Sequence, residues 1–165
     1  MRVYLPATLS ALRALLDDGR LGDPPLPAYA VTPALREWYA EGDEEELEYA
    51  ALALAARASV RLLDADQDAV RRRVVVVAEV PDAEVTPVPK ADRAAVRVAS
   101  EVPLRLVRAV HVDDPSAMAD VTVAADAVIE ADLGSQDAVF RVEQADGHEL
   151  QWYATQEIGP LLELG

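Results

Sequence analysis

The sequence predicts an α/β or α+β fold: a mixed β-sheet of about five to six strands with helices packed on it. Three observations carry this. Short apolar segments alternate with stretches of helical periodicity along the chain. Ser, Thr or Asp caps, two of them followed by proline, mark where helices begin. One continuous run, Val74 to Val77 followed by Ala78, suits a central strand covered on both faces. At 165 residues the chain is expected to form a single domain over 1–165. A chain of this size needs no disulfide or metal to hold it together.

Arg2 to Pro6 reads as the first strand. Thr8 caps a helix with Leu9, Leu12 and Leu16 at helical spacing, and Gly19 stops it. A loop with Pro24, Pro25 and Pro27 precedes a strand at Ala28 to Val31. Thr32-Pro33 starts a short helix with Leu35, Trp38 and Tyr39 on one face, and Gly42 ends it. Asp43 and Glu46 form a capping-box pattern.

The helix from about Asp43 to Leu63 would be roughly 30 Å long. Leu47, Ala51, Leu54, Ala58 and Leu62 form one apolar stripe, and Tyr49, Leu52, Ala53, Ala56, Val60 and Leu63 another. Glu48 and Ser59 divide them on one flank, Arg57 and Arg61 on the other. A helix apolar on two faces is buried from two sides, by a sheet and by a further helix layer or a partner subunit.

After the valine run, Pro81, Pro87 and Pro89 mark a flexible loop near 81–93. Val96, Val98 and Val102 alternate with polar or small residues as in a half-exposed strand. Pro103 to Arg108 reads as a helical turn and Ala109 to Asp113 as a strand. Asp114-Pro115 starts a helix carrying Met118, Val121, Ala125, Val128 and Ile129. Asp137 to Asp146 is open to either reading: Gly147 favours a helix, the alternation of Ala138, Phe140 and Val142 a strand. Leu150 to Ala154 is the last strand, and Thr155 caps a final short helix. Both ends of the chain thus run strand, helix, strand, helix, an order open to reading as a βαβα pseudo-duplication or, since residue identity is poor, as ordinary βα punctuation by Ser, Thr and Asp caps.

The chain has no cysteine, which excludes disulfides, thiolate metal sites and cysteine nucleophiles. Its net charge of −15 repels phosphate backbones and anionic lipids, so no nucleic-acid partner is expected. The one basic cluster, Arg71-Arg72-Arg73, is read as salt-bridged or solvated. The start of the chain shows no signal peptide and no apolar run reaches a membrane span, so a cytoplasmic location is expected.

Half of the aromatic side chains sit in two Trp-Tyr-Ala triplets, at Trp38-Tyr39-Ala40 and Trp152-Tyr153-Ala154. Such amphipathic rings anchor cores or contact surfaces. Neighbours in a strand point to opposite faces, so Trp152 and Tyr153 cannot share one; Trp152 is expected outward or at a contact, although Leu150 on its face argues equally for core. The only histidines are His111, with Asp113 and Asp114 beyond it, and His148, before Glu149. They supply metal-ligand residue types without metal-ligand spacing, so no metal and no cofactor is expected. Sheets of this class bind ligands beyond the carboxyl ends of their strands. That places Thr32, His111, Asp113, Trp152 and Thr155 as candidate ligand-binding residues. No Gly-rich phosphate loop or nucleophile elbow is present, and no catalytic residue is assigned.

The stretches Met1 to Thr8, Ala30 to Tyr39, Glu45 to Ala51, Val110 to Asp114 and Trp152 to Ile158 resemble a family of short acidic proteins of actinobacterial type. That family has no assigned function. The resemblance implies a bacterial cytosolic protein and transfers no catalytic residue. The resulting expectation is a non-enzymatic cytosolic protein acting through protein–protein contacts, as a homodimer or with another protein partner. The alternative is a small-molecule-binding protein or enzyme with a polar site at the strand ends.

Overall fold

A computed structural model describes residues 1–164. The strands are β1 (Arg2–Ala7), β2 (Arg20–Leu21), β3 (Leu26–Tyr29), β4 (Val74–Glu79), β5 (Val85–Pro87), β6 (Ala95–Val98), β7 (Val102–Pro103), β8 (Val107–Val112) and β9 (Gln151–Ala154). The helices are α1 (Leu9–Asp18), α2 (Pro33–Trp38), α3 (Glu44–Ala65), α4 (Met118–Asp132), α5 (Gln136–Asp146) and α6 (Ile158–Leu164).

The caps behave as their residue types require. Thr8, Thr32, Asp43 and Ser135 each accept a hydrogen bond from the backbone N–H three residues on. Gly19 closes α1 in the left-handed conformation, at φ 75°, where a side chain would be strained. Asp137 to Asp146 is helical, and Val142 and Ala145 point into the core. Asp114 caps a 3-10 turn, Pro115–Ala117, that leads into α4.

The fold is α+β. Seven strands form one sheet in the order β5-β6-β3-β1-β4-β8-β9, and β2 pairs with β7 in a small second sheet. Every pairing is antiparallel, so the sheet is wider than expected and not mixed. The reason lies in the connections. After α1 the chain passes through β2 and a proline loop and enters β3 from the end at which it left β1. The proline-rich stretch near 81–93 contributes a 3-10 turn, Asp82–Glu84, and the edge strand β5. β1 and β8 flank β4 and run in the same direction, with β3 and β9 outside them. α1 packs in the core on one face of the sheet, and α4 packs with α3 over the other.

β4 is the centre of the molecule. Val74, Val76 and Ala78 face a core shared with α1 and α6, while Val75 and Val77 face α3. Ala51, Ala55 and Ala56 bring α3 close onto this second face. Further along, Val60 and Leu63 meet α4 and α5. The second layer over α3 is thus the α4–α5 pair, and it covers the C-terminal part of the helix. The two predicted stripes are redrawn accordingly. Leu62 and Tyr49 are exposed, and Leu54 is half-buried.

Ser59, expected as a polar divider, is fully buried. Its hydroxyl donates to the Ala7 carbonyl at 2.8 Å and accepts from the Val74 N–H at 3.1 Å. One small side chain thus ties α3 to paired ends of β1 and β4. Ser59→Ala leaves two buried backbone groups without their partner and is expected to cost about 1–3 kcal/mol. A denaturant midpoint equal to wild type would show that the strand ends find other partners.

Candidate functional site

The α4–α5 pair packs on the C-terminal part of α3, and the only helix that the N-terminal half meets, among the described residues, is the short α2, through Leu35 and Leu47. Three adjoining depressions open there, and Tyr49 lines all of them. A cleft of about 810 Å3 runs between α3, the α5–β9 connection and the exposed end of the sheet. A groove of about 850 Å3 lies between α2 and α3. A smaller hollow joins Arg2, Glu48 and Arg108 to His111 and Trp152.

His111 and Trp152 are directly opposite one another on β8 and β9. Both line the cleft, with Trp152 61% exposed and Tyr153 packed against the opposite core. His148 lines the same cleft and lies 2.7 Å from Asp120 through its Nε2. The two histidine segments therefore meet in space, which their separation in the sequence left open.

The remaining predicted site residues are engaged elsewhere. Asp113 is fully buried and accepts two hydrogen bonds from the Arg73 guanidinium and one from the Arg73 N–H, each at 2.8 Å. Thr32 is buried; its hydroxyl caps α2 and donates to the Arg93 carbonyl. Thr155 does not cap the last helix. Its hydroxyl donates to the Val107 carbonyl at 2.9 Å, while Glu157 accepts from the Ala154 N–H. The strand ends cannot gather these groups at one edge. β8 and β9 run in opposite directions, so Asp113 and Thr155 lie at opposite ends of the sheet.

Arg57 and Arg61, read from the sequence only as dividers between the two stripes of α3, line this cleft. Arg57 pairs with Asp146 at 2.9 Å, and Arg61 grips Asp132 with two bonds of 2.8 and 3.0 Å. Arg61 holds the Asp132 carboxyl below the usual carboxylate range. The Nε of Arg57 is buried and has no hydrogen-bond partner among the described residues. Arg72 and Arg73, expected as a solvated or paired cluster, are both buried, and Arg72 donates to the Asp113 carbonyl. Composition offers no cue to these roles, because arginines of this kind are chosen by neighbours distant in sequence. The Trp-Tyr-Ala triplets were the better cue. Trp38, Tyr39 and Trp152 are all exposed and border these depressions.

Burial pushes the His111 imidazole down from its ordinary value. The unfolded chain then takes up a proton more readily than the folded one near that value, about 6.5. The stability this contributes is complete above about 6.5 and is lost as pH falls through the folded pKa. His111→Gln is expected to flatten the loss of melting temperature between about pH 7 and pH 5.5. Parallel curves for the two proteins would show that His111 is not the titrating group.

Among the described residues, no helix is long and apolar enough to cross a membrane. A family model described as a family of unknown function (DUF6912) matches residues 1–162. No curated protein and no solved structure matches the chain.

Proposed function

Because the chain belongs to this family of unknown function, DUF6912, we propose from the geometry that it is a non-enzymatic, cytosolic protein acting through protein–protein contacts. One observation carries the reading. Both tryptophans, with Tyr39 and Tyr49, stand exposed around the N-terminal half of α3. Large rings exposed together are characteristic of contact surfaces, where Trp and Tyr supply much of the binding energy.

Self-association through β9 is the form of contact we favour. β9 is the last strand of the sheet, and its outer edge has no strand neighbour among the described residues. Gln151-Trp152-Tyr153-Ala154 carries no charge and no proline to block a further strand. The opposite edge strand, β5, is three residues long and ends in Pro87. Trp152→Ala is expected to weaken self-association in analytical ultracentrifugation. Because Trp152 is exposed, stability should stay within about 0.5 kcal/mol of wild type. A large fall in melting temperature without any change in association would overturn this reading.

A second reading has its own support. The cleft falls within the usual size range of ligand sites, about 300–1,000 Å3. It presents His111, which makes no side-chain hydrogen bond among the described residues, beside the Trp152 ring and the Arg57 Nε, unpartnered among the same residues. A small molecule bound there would raise the melting temperature of the wild type and not of His111→Ala.

A further inference from the structure

We propose that the groove between α2 and α3 is a docking site for a basic segment of a partner protein. The inference rests on the reading that this protein acts through protein contacts. It adds the chemistry of one partner and a location distinct from β9.

The groove combines two features that favour the same ligand. Its walls are Trp38, Tyr39 and Tyr49, which are 61%, 40% and 61% exposed. The faces of these rings carry negative potential and attract cations. Its rim bears the carboxylates of Asp43, Glu45, Glu46 and Asp92, against a single cation among the described residues, Arg93. That cation is already engaged, with its guanidinium carbon 3.6 Å from the centre of the Trp38 ring. The chain itself thus places an arginine on an aromatic wall of this groove, in the geometry proposed for the incoming residues.

The carboxylates are not all accounted for by the fold. In the same turn of α3, Glu44 pairs with Arg36, and Glu48 reaches Arg2. Glu45 and Glu46 form no ion pair among the described residues. Acidic residues in a first helical turn are favoured by the helix dipole, which explains their being on α3. The dipole does not explain three exposed rings beside them. Charge also selects among occupants. With thirty acidic and fifteen basic residues, a second copy of this chain brings surplus carboxylates to the groove, and nucleic acid brings phosphates. A segment rich in Arg or Lys brings what the groove lacks. Its apolar floor of Leu35, Ala50 and Leu54 suits the aliphatic stems of those side chains.

The test uses the full chain and two short N-acetylated peptides. One alternates Arg with Leu; the other has Glu in place of every Arg. Binding is followed by calorimetry and by the fluorescence of the protein's tryptophans. The Arg peptide is expected to bind and the Glu peptide not. Tyr49→Ala, and separately the pair Glu45→Gln and Glu46→Gln, should weaken the Arg peptide by about tenfold or more. A charge-matched pair on the exposed face of α4, Asp126→Asn and Glu130→Gln, should leave binding nearly unchanged. Equal weakening by the α4 pair would show diffuse attraction to an acidic protein and overturn the site. Free arginine binding as tightly as the peptide would overturn its assignment to a protein segment. Absence of Arg-peptide binding, with self-association still sensitive to Trp152→Ala, would remove this inference and leave the contact reading standing.

Discussion

Asp113→Ala is expected to lower stability by about 3–5 kcal/mol, because it leaves a buried guanidinium without its counter-charge. Arg73 is 3% exposed and Asp113 not at all. The pair is held from several directions. The guanidinium also donates to the His148 carbonyl at 2.8 Å, and the Asp113 N–H donates to the Arg73 carbonyl. The cluster therefore joins the start of β4, the end of β8 and the turn after α5. Removing one partner differs from removing both. Arg73→Met combined with Asp113→Leu takes both charges out of the interior and is expected to recover part of the loss. Chemical denaturation of the two variants decides the matter. A double variant no more stable than Asp113→Ala would show that the hydrogen bonds, and not the stranded charge, carry the effect.

Leu63→Ala is expected to cost about 2–5 kcal/mol, as large-to-small changes in cores do. Leu63 is fully buried where α3 meets α4 and α5, in a cluster made mostly of alanine and valine. Such small neighbours have little side chain with which to fill the space, so the cavity should persist. Leu54→Ala on the same helix should cost less, since Leu54 is half-buried at the groove. Thermal melts that rank the two variants the other way would show that α3 is anchored by its N-terminal half.

Much of the fold was legible because it is decided locally. A helix start depends on a cap and the next few residues, so Thr8, Thr32 and Asp43 marked their helices correctly. A strand buried on both faces needs an uninterrupted apolar run, so Val74 to Ala78 announced the centre of the sheet. Alternation along a strand put Trp152 and Tyr153 on opposite faces, as found. The candidate site was less legible. Of the five residues named from sequence, His111 and Trp152 meet at one cleft, while Asp113, Thr32 and Thr155 spend their polar groups within the fold. A carboxylate beyond a strand looks the same in sequence whether solvent or an arginine forty residues away receives it.

By itself, then, the sequence determined the longer strands, most of the helices and where those begin, and the acidic charge that constrains partners, while the short strands β2, β5 and β7 and the helical state of Asp137 to Asp146 needed the structure. Only the tertiary structure decided that the sheet is wholly antiparallel, that Ser59 and Asp113 are interior anchors, and that α4 and α5 cover one half of α3 and leave the other open. The difference is physical. Caps and periodicity act within a turn or two of the chain. Strand direction, buried ion pairs and exposed aromatic faces follow from contacts between residues tens of positions apart, whose closure no local pattern records.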